Sequence, residues 1–155
     1  MARGGGGGGD GPGGECVFCG IVAGEMPAHE VWRDDDVVAF LDRSPLFVGH
    51  TLVVPVEHHE TVTDLPAAQV EPFFAQVRRL TAAVRAGTGS AGAFVAMNNV
   101  VSQSVPHLHA HVVPRNRGDG LKGFFWPRTR YHDDAHMADT AATLRRALDT
   151  LPPLP

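Results

Sequence analysis

Little cysteine, no long apolar run and little net charge bound this chain before any motif is read. Only Cys16 and Cys19 occur among its 155 residues, so there is no disulfide framework. No apolar stretch approaches the ~20 residues of a transmembrane helix, and the N-terminus lacks the apolar core of a secretory signal. A net charge of −4 argues against a general binder of nucleic acid or anionic membrane. A cytoplasmic address is the expectation. A hydrophobic content of 43% and a charged content of 19% suit a globular domain, and the length allows a single core. The glycine-rich residues 1–14 hold too little apolar surface to offset their chain entropy and read as a disordered leader. Residues 15–131 read as the main domain, and 132–155 as a C-terminal helix and tail.

What is present is concentrated in His107-Leu108-His109-Ala110-His111-Val112-Val113. Side chains alternate across a strand, so the three imidazoles share one face while Leu108, Ala110 and Val112 enter a core. At ~3.3 Å per residue, neighbouring histidines stand ~6.6 Å apart and the outer pair ~13 Å apart. That row is too long for one metal ion and suits a phosphate, with one nucleophile and flanking donors.

Further strands are read at Glu30–Arg33, Val37–Leu41, Thr51–Val56 and Phe94–Met97, with the first two paired across Asp34-Asp35-Asp36. A short helical turn covers Phe18 to Ala23. Val70, Phe73, Phe74, Val77, Leu80 and Val84 recur at helical spacing, which predicts one long helix between Pro66 and Ala86. Met137, Ala141, Leu144, Leu148 and Leu151 predict a second helix near the C-terminus. The class is α+β: an antiparallel sheet of about five strands with a long central helix and a C-terminal helix.

The His-φ-His-φ-His-φ-φ pattern, preceded by Gln103-Ser104, resembles the histidine triad (HIT) family. The block Phe40-Leu41-Asp42 to Pro45, followed by Gly49-His50-Thr51-Leu52-Val53-Val54-Pro55, is similar to that family's nucleotide-binding half. Cys16-Val17-Phe18-Cys19 followed by Gly24-Glu25-Met26-Pro27 resembles its zinc-carrying, Hint-like branch. The likeness runs in register from Cys16 to Pro114.

The resemblance implies a homodimeric hydrolase that cleaves phosphoramidate or phosphoric anhydride bonds of nucleoside 5′-monophosphate (AMP-X) substrates, such as adenosine phosphoramidates or dinucleoside polyphosphates. It makes His109 the nucleophile and sets His50, His111, Ser104 and Gln103 about the phosphate and leaving group. It assigns Asp42 to the ribose, Val17, Phe18, Ile21, Phe40 and Leu52 to a purine pocket, and Asn98 or Asn99 to the ligand. A neutral imidazole is a competent nucleophile at neutral pH, which agrees with that assignment. Asp42 has a second reading, as a turn residue before Ser44-Pro45.

The resemblance also implies a structural zinc on Cys16, Cys19, His58 and His107, and no organic cofactor. From the residues alone, the two cysteines fit either a metal pair or unbound thiols. A phosphorylase or transferase shares the first half-reaction, and a nucleotide-binding regulator with little turnover is the rival from outside enzymology. Arg115, Arg117, Lys122, Arg128 and Arg130 face the single acid Asp119 within 115–130, a loop open to a polyphosphate or to a purely structural role.

Overall fold

The computed structural model describes residues 16–122 and 128–153. The glycine-rich leader and residues 123–127 of the basic loop lie outside the described residues. The chain divides into two units, Met1–Arg117 and Gly118–Pro155.

In the first unit the elements run α1 (Val17–Val22), β1 (Glu30–Arg33), β2 (Val37–Leu41), β3 (Thr51–Pro55), α2 (Ala67–Thr88), β4 (Gly92–Ala96) and β5 (Ala110–Arg115). The five strands form one sheet in the order β1-β2-β3-β5-β4, and every neighbouring pair is antiparallel. The acidic turn closes the first hairpin as the sequence suggests. Asp34 Oδ1 accepts from the amides of Asp36 and Val37 at 2.9 and 2.7 Å. Its Oδ2 accepts from Trp32 Nε1 at 3.0 Å and from Gln76 Nε2 of α2 at 2.7 Å. Burial pushes the Asp34 carboxyl up, but these donors outweigh it and hold the group below its ordinary range.

Helix α2 runs two residues further than its pattern predicts, through Gly87. It stops where Gly89 takes the left-handed conformation, φ 66°, and its N–H closes on the Arg85 carbonyl. Phe73, Val77, Leu80 and Val84 of α2 pack with Val37, Ala39, Val53, Leu108, Ala110 and Val112 on one face of the sheet. The opposite face carries Val38, Phe40, Leu52 and Val54 under Phe18 and Ile21 of α1. Strands β2 and β3 are thus covered on both sides, which explains their unbroken apolar runs. Phe73 is 1% exposed, and its truncation to alanine is worth about 3–5 kcal/mol.

Other boundaries also differ from the sequence reading: β3 stops at Pro55 rather than Val56, β4 runs Gly92–Ala96 rather than Phe94–Met97, and the ladder of β5 begins at Ala110, not at His107, and continues to Arg115. The β3–β5 register, Val53 opposite Ala110, brings Pro55 opposite Leu108. Proline has no N–H to donate, so pairing ends there. The Leu108 amide instead donates to the His59 carbonyl at 2.6 Å. The alternation itself holds, with Leu108, Ala110 and Val112 all packed in the α2-side core.

The second unit contains α3 (Asp134–Asp149), whose N-terminus is capped by Asp133 accepting from the His136 amide. Met137, Leu144 and Leu148 are exposed on it. No helix among the described residues is long and apolar enough to cross a membrane.

Candidate active site and metal cluster

Strand register sets Phe40, Leu52, His111 and Ala96 in one row across four strands, on the face that α1 covers. His109, two residues before His111, shares that face. Its ring lies edge-on to Phe18, centroids 5.1 Å apart, and 4.9 Å from the ring of His111. His50 enters from the residue before β3. The Asp42 amide donates to the His50 carbonyl at 2.9 Å, which extends the β2–β3 pairing by one step and fixes both residues.

Hydrogen-bond bookkeeping fixes the proton positions. The Leu46 amide donates to His50 Nδ1 at 3.2 Å. A neutral His50 therefore carries its proton on Nε2, which lies 3.0 Å from His111 Nδ1 and donates to it. The proton of His111 then sits on its Nε2. His109 Nδ1 lies 2.7 Å from the His107 carbonyl, which can only accept, so Nδ1 carries the proton. The Nε2 of a neutral His109 is left as a bare lone pair. Burial, aided by the neighbouring His109 and His50, pushes His111 down to about 4 against the pull of Asp42. Burial also lowers His50, with Asp42 opposing and His109 adding to the shift.

This arrangement has a pH consequence. Both rings titrate lower in the folded chain than the ~6.5 of an unfolded histidine. Between that value and about 4 the unfolded chain binds more protons, so stability is full above the window and falls as pH drops through it. The Tm of His111→Gln is expected to fall less than that of wild type between pH 7.5 and 5, by roughly a few °C. Equal falls in the two proteins would show that His111 stays ordinary.

The first histidine of the row turns elsewhere. His107, fully buried, donates from Nε2 to the Pro55 carbonyl at 2.9 Å. Its Nδ1 lone pair faces Cys16 Sγ and Cys19 Sγ, each at 3.5 Å, and His58 Nδ1 stands 3.2 Å from Cys19 Sγ. The four ligand atoms all lie within 4.8 Å of one another. Zinc bonds of ~2.3 Å to sulfur and ~2.05 Å to nitrogen give a tetrahedral S···N edge of ~3.6 Å, so the donor set fits that ion. Cys16 also caps α1, its sulfur accepting from the Cys19 amide. Burial, then the neighbouring Cys16, push the Cys19 thiol up to about 11 in the metal-free chain.

Asp42, His50 and His111 also converge within 4.8 Å. There the Nε2 of His50 carries a proton, so the cluster is built to share hydrogen bonds rather than to ligate a cation. Asp42 Oδ1 accepts from the Ser44 amide at 2.8 Å, and Oδ2 lies 3.7 Å from His50 Nε2.

The loop before the row is held by its own side chains. Gln103 donates to the Glu60 carbonyl at 2.6 Å and accepts from the Val100 amide at 2.9 Å. Asn99 accepts from the Val62 amide, and Asn98 donates to the Ser102 carbonyl. Val100 and Ser102 sit at φ 70° and 61°, left-handed positions that cost a non-glycine residue about 1–3 kcal/mol each. Ser104 is exposed on the same loop. Phe18, Ile21, Phe40 and Leu52 form one cluster, whereas Val17 is 43% exposed and stands outside it. His59, the neighbour of His58, is occupied by Gln69 Oε1 at 3.0 Å. The Leu46 amide and the Pro55 carbonyl, which set the tautomers, are backbone groups without a sequence signature.

Residues 23–118 match the family model described as "HIT domain". An adenylylsulfatase of Arabidopsis thaliana is 32% identical over 145 residues, 89% of this chain and 72% of that protein. An adenosine 5′-monophosphoramidase of Schizosaccharomyces pombe is 32% identical over 114 residues, 72% of this chain and 83% of that protein. The structure is also similar to a zinc-bound histidine triad family protein from Mycobacterium smegmatis. That likeness has a TM-score of 0.65 at 35% identity and covers 85% of this chain and 96% of that one.

Proposed function

We propose that this chain, which belongs to the HIT domain family, is a hydrolase that releases AMP from an AMP-X substrate through a nucleotidyl-His109 intermediate. One observation carries the reading. The His107 carbonyl holds the proton of His109 on Nδ1, leaving Nε2 bare beside the hydrogen-bonded His50–His111 pair.

In the first step His109 Nε2 forms an N–P bond to the α-phosphorus as the P–X bond breaks, and X leaves with that bond's electron pair. The Nε2–H of His111 is the donor available to the charge that builds on the phosphoryl oxygens. Ser104 and Gln103 stand on the leaving-group side, and Gln103 must first release Glu60 or Val100. Water then hydrolyses the N–P bond, which frees AMP and restores the lone pair. Phe18, Ile21, Phe40 and Leu52 line the base pocket, with the exposed Val17 at its rim and Asn98 or Asn99 at the ligand.

The adenylylsulfatase and monophosphoramidase relatives support an AMP-X substrate of this class. Zinc on Cys16, Cys19, His58 and His107, as in the Hint-like branch, would form a closed tetrahedral tie with no position left for substrate water. The zinc-bound relative and the converging donors support it. The reading includes a cytoplasmic homodimer. The edge strand β4, with Val95 41% exposed, is a surface open to pairing.

The test is turnover of adenosine phosphoramidates and dinucleoside polyphosphates with and without free phosphate. Release of AMP from a phosphoramidate at a rate indifferent to phosphate is expected. A requirement for phosphate would make the enzyme a phosphorylase, and absence of turnover would leave a nucleotide-binding protein.

Asp42 supplies a second expected result. A carboxylate accepting from both ribose hydroxyls is worth about 1.5–3 kcal/mol, roughly 10- to 100-fold in affinity. Asp42→Ala should lose that factor for AMP and show little further loss for 2′,3′-dideoxy-AMP. Equal losses from the dideoxy ligand in both proteins would confine Asp42 to its turn with Ser44.

A further inference from the structure

Helix α1 has six residues, too few to hold itself together, yet it carries Phe18, Ile21 and Cys19. Its N-terminal end is tied into the Cys/His cluster. Its C-terminal end is held by an arginine from a different element. Arg33 Nη1 donates to the Val22 carbonyl at 2.9 Å, and Nη2 reaches the Ile21 carbonyl at 3.5 Å. The Ile21 carbonyl also accepts from the Gly24 amide at 3.0 Å, so the fork's main hold is on the Val22 carbonyl, a last-turn acceptor that no N–H within the helix can reach.

A defect in β1 makes this contact possible. In a regular strand Glu30 and Arg33, three residues apart, would point to opposite faces. The β1–β2 register instead shifts between Glu30 and Trp32, so that Glu30 pairs with Phe40, Trp32 with Ala39 and Arg33 with Val38. Phe40 and Val38 belong to the α1 face, and Ala39 to the α2 face. The irregularity therefore sends Glu30 and Arg33 together toward α1 while Trp32 still packs against the α2 core. Once on that face, Glu30 grips the guanidinium through both carboxylate oxygens, Nε to Oε2 at 3.2 Å and Nη2 to Oε1. This pair is 39% and 38% exposed, so its own attraction is weak, and its effect lies in aiming the fork.

What α1 positions is the floor of the site. The Phe18 ring lies 5.4 Å from Phe40, 6.0 Å from His107 and 5.1 Å from His109. We infer that Arg33, aimed by Glu30 across the β1 irregularity, is a positioning residue for the nucleotide pocket: it clamps α1 so that Phe18 stays against the base site and the His109 ring. This inference rests on the reading of that face as the nucleotide site.

The experiment compares full-length wild type, Arg33→Met, Arg33→Lys and Glu30→Gln. Methionine keeps the apolar stem and removes the fork. Amide exchange of residues 20–26 is expected to quicken at least 10-fold in Arg33→Met, with exchange in α2 unchanged and zinc release to a chelator also faster. AMP binding should weaken about 5- to 20-fold, and KM for the phosphoramidate should rise more than kcat falls. Lysine should restore only part of each effect, since an ammonium is a point charge and spans two carbonyls less well than the fork. Glu30→Gln should lie between lysine and wild type.

Wild-type exchange in residues 20–26 of Arg33→Met would overturn the clamp. So would a loss of protection shared equally by α2, which would mark a general stability effect. If wild type bound no AMP, the functional reading would fail, while the exchange and zinc-release arms would still decide the role of Arg33.

Discussion

His109→Asn is expected to lose turnover by at least about 10⁴-fold while still binding AMP within a few-fold of wild type. Asparagine is the informative replacement because its amide N–H can still reach the His107 carbonyl, which His109 Nδ1 occupies at 2.7 Å. Alanine would leave that carbonyl without its donor and open a gap beneath Phe18, so a loss there would mix chemistry with packing. Binding should survive, since His109 is 2% exposed and the apolar cluster is built from α1, β2 and β3. Acid quenching after a brief pulse of labelled substrate should recover acid-labile nucleotide on wild type and none on the variant. His111→Gln and His50→Gln should lose less, about 10²–10³-fold each, the scale of one oxyanion donor. Near-full activity in His109→Asn would overturn covalent catalysis at this residue.

Much of this site was legible in the sequence because it is local. The alternation of 107–113 set His109 and His111 on one face and Leu108, Ala110 and Val112 on the other, and the packing of those three with α2 agrees. The Asp34 turn was an equally local signal. What escaped reading depended on partners distant in the chain. Pro55 ends the β5 ladder because a register set by Val53 and Ala110 brings it opposite Leu108. The spacing estimate of ~6.6 Å between neighbouring histidines assumed side chains standing straight out of a strand. The rings of His109 and His111 instead lean to 4.9 Å, and that of His107 turns 3.5 Å from two sulfurs. Nothing local announced that Gln103 and Asn99 would be engaged by Val100, Glu60 and Val62. Arg33 read as the last residue of a strand, and only the irregularity in β1 reveals where it points.

Zinc content tests the Cys/His cluster, whose His107 lies just ahead of β5. Freshly purified protein is expected to hold about one equivalent of zinc, bound by Cys16, Cys19, His58 and His107. The donors come from α1, the segment after β3 and the residues leading into β5, so an ion there closes long loops in the chain. Binding free energy of that kind is folding free energy. Chelation, or Cys16→Ser with Cys19→Ser, should cost several kcal/mol and lower Tm by roughly 10 °C. Without metal the Cys19 thiol is held up to about 11, so zinc uptake near pH 7 must expel a thiol proton. Zinc added to the metal-free protein in weak buffer should therefore acidify the solution. Zinc affinity should fall as pH falls. The surviving folded fraction should keep most of its kcat, because the His109 proton is held by the backbone carbonyl of His107 rather than by its ring. His59→Ala is the control, since that ring is turned to Gln69 and should leave zinc content unchanged. Less than about a tenth of an equivalent of zinc on fresh protein, with both thiols reduced, would leave the cysteines as a cap and a packing residue of α1.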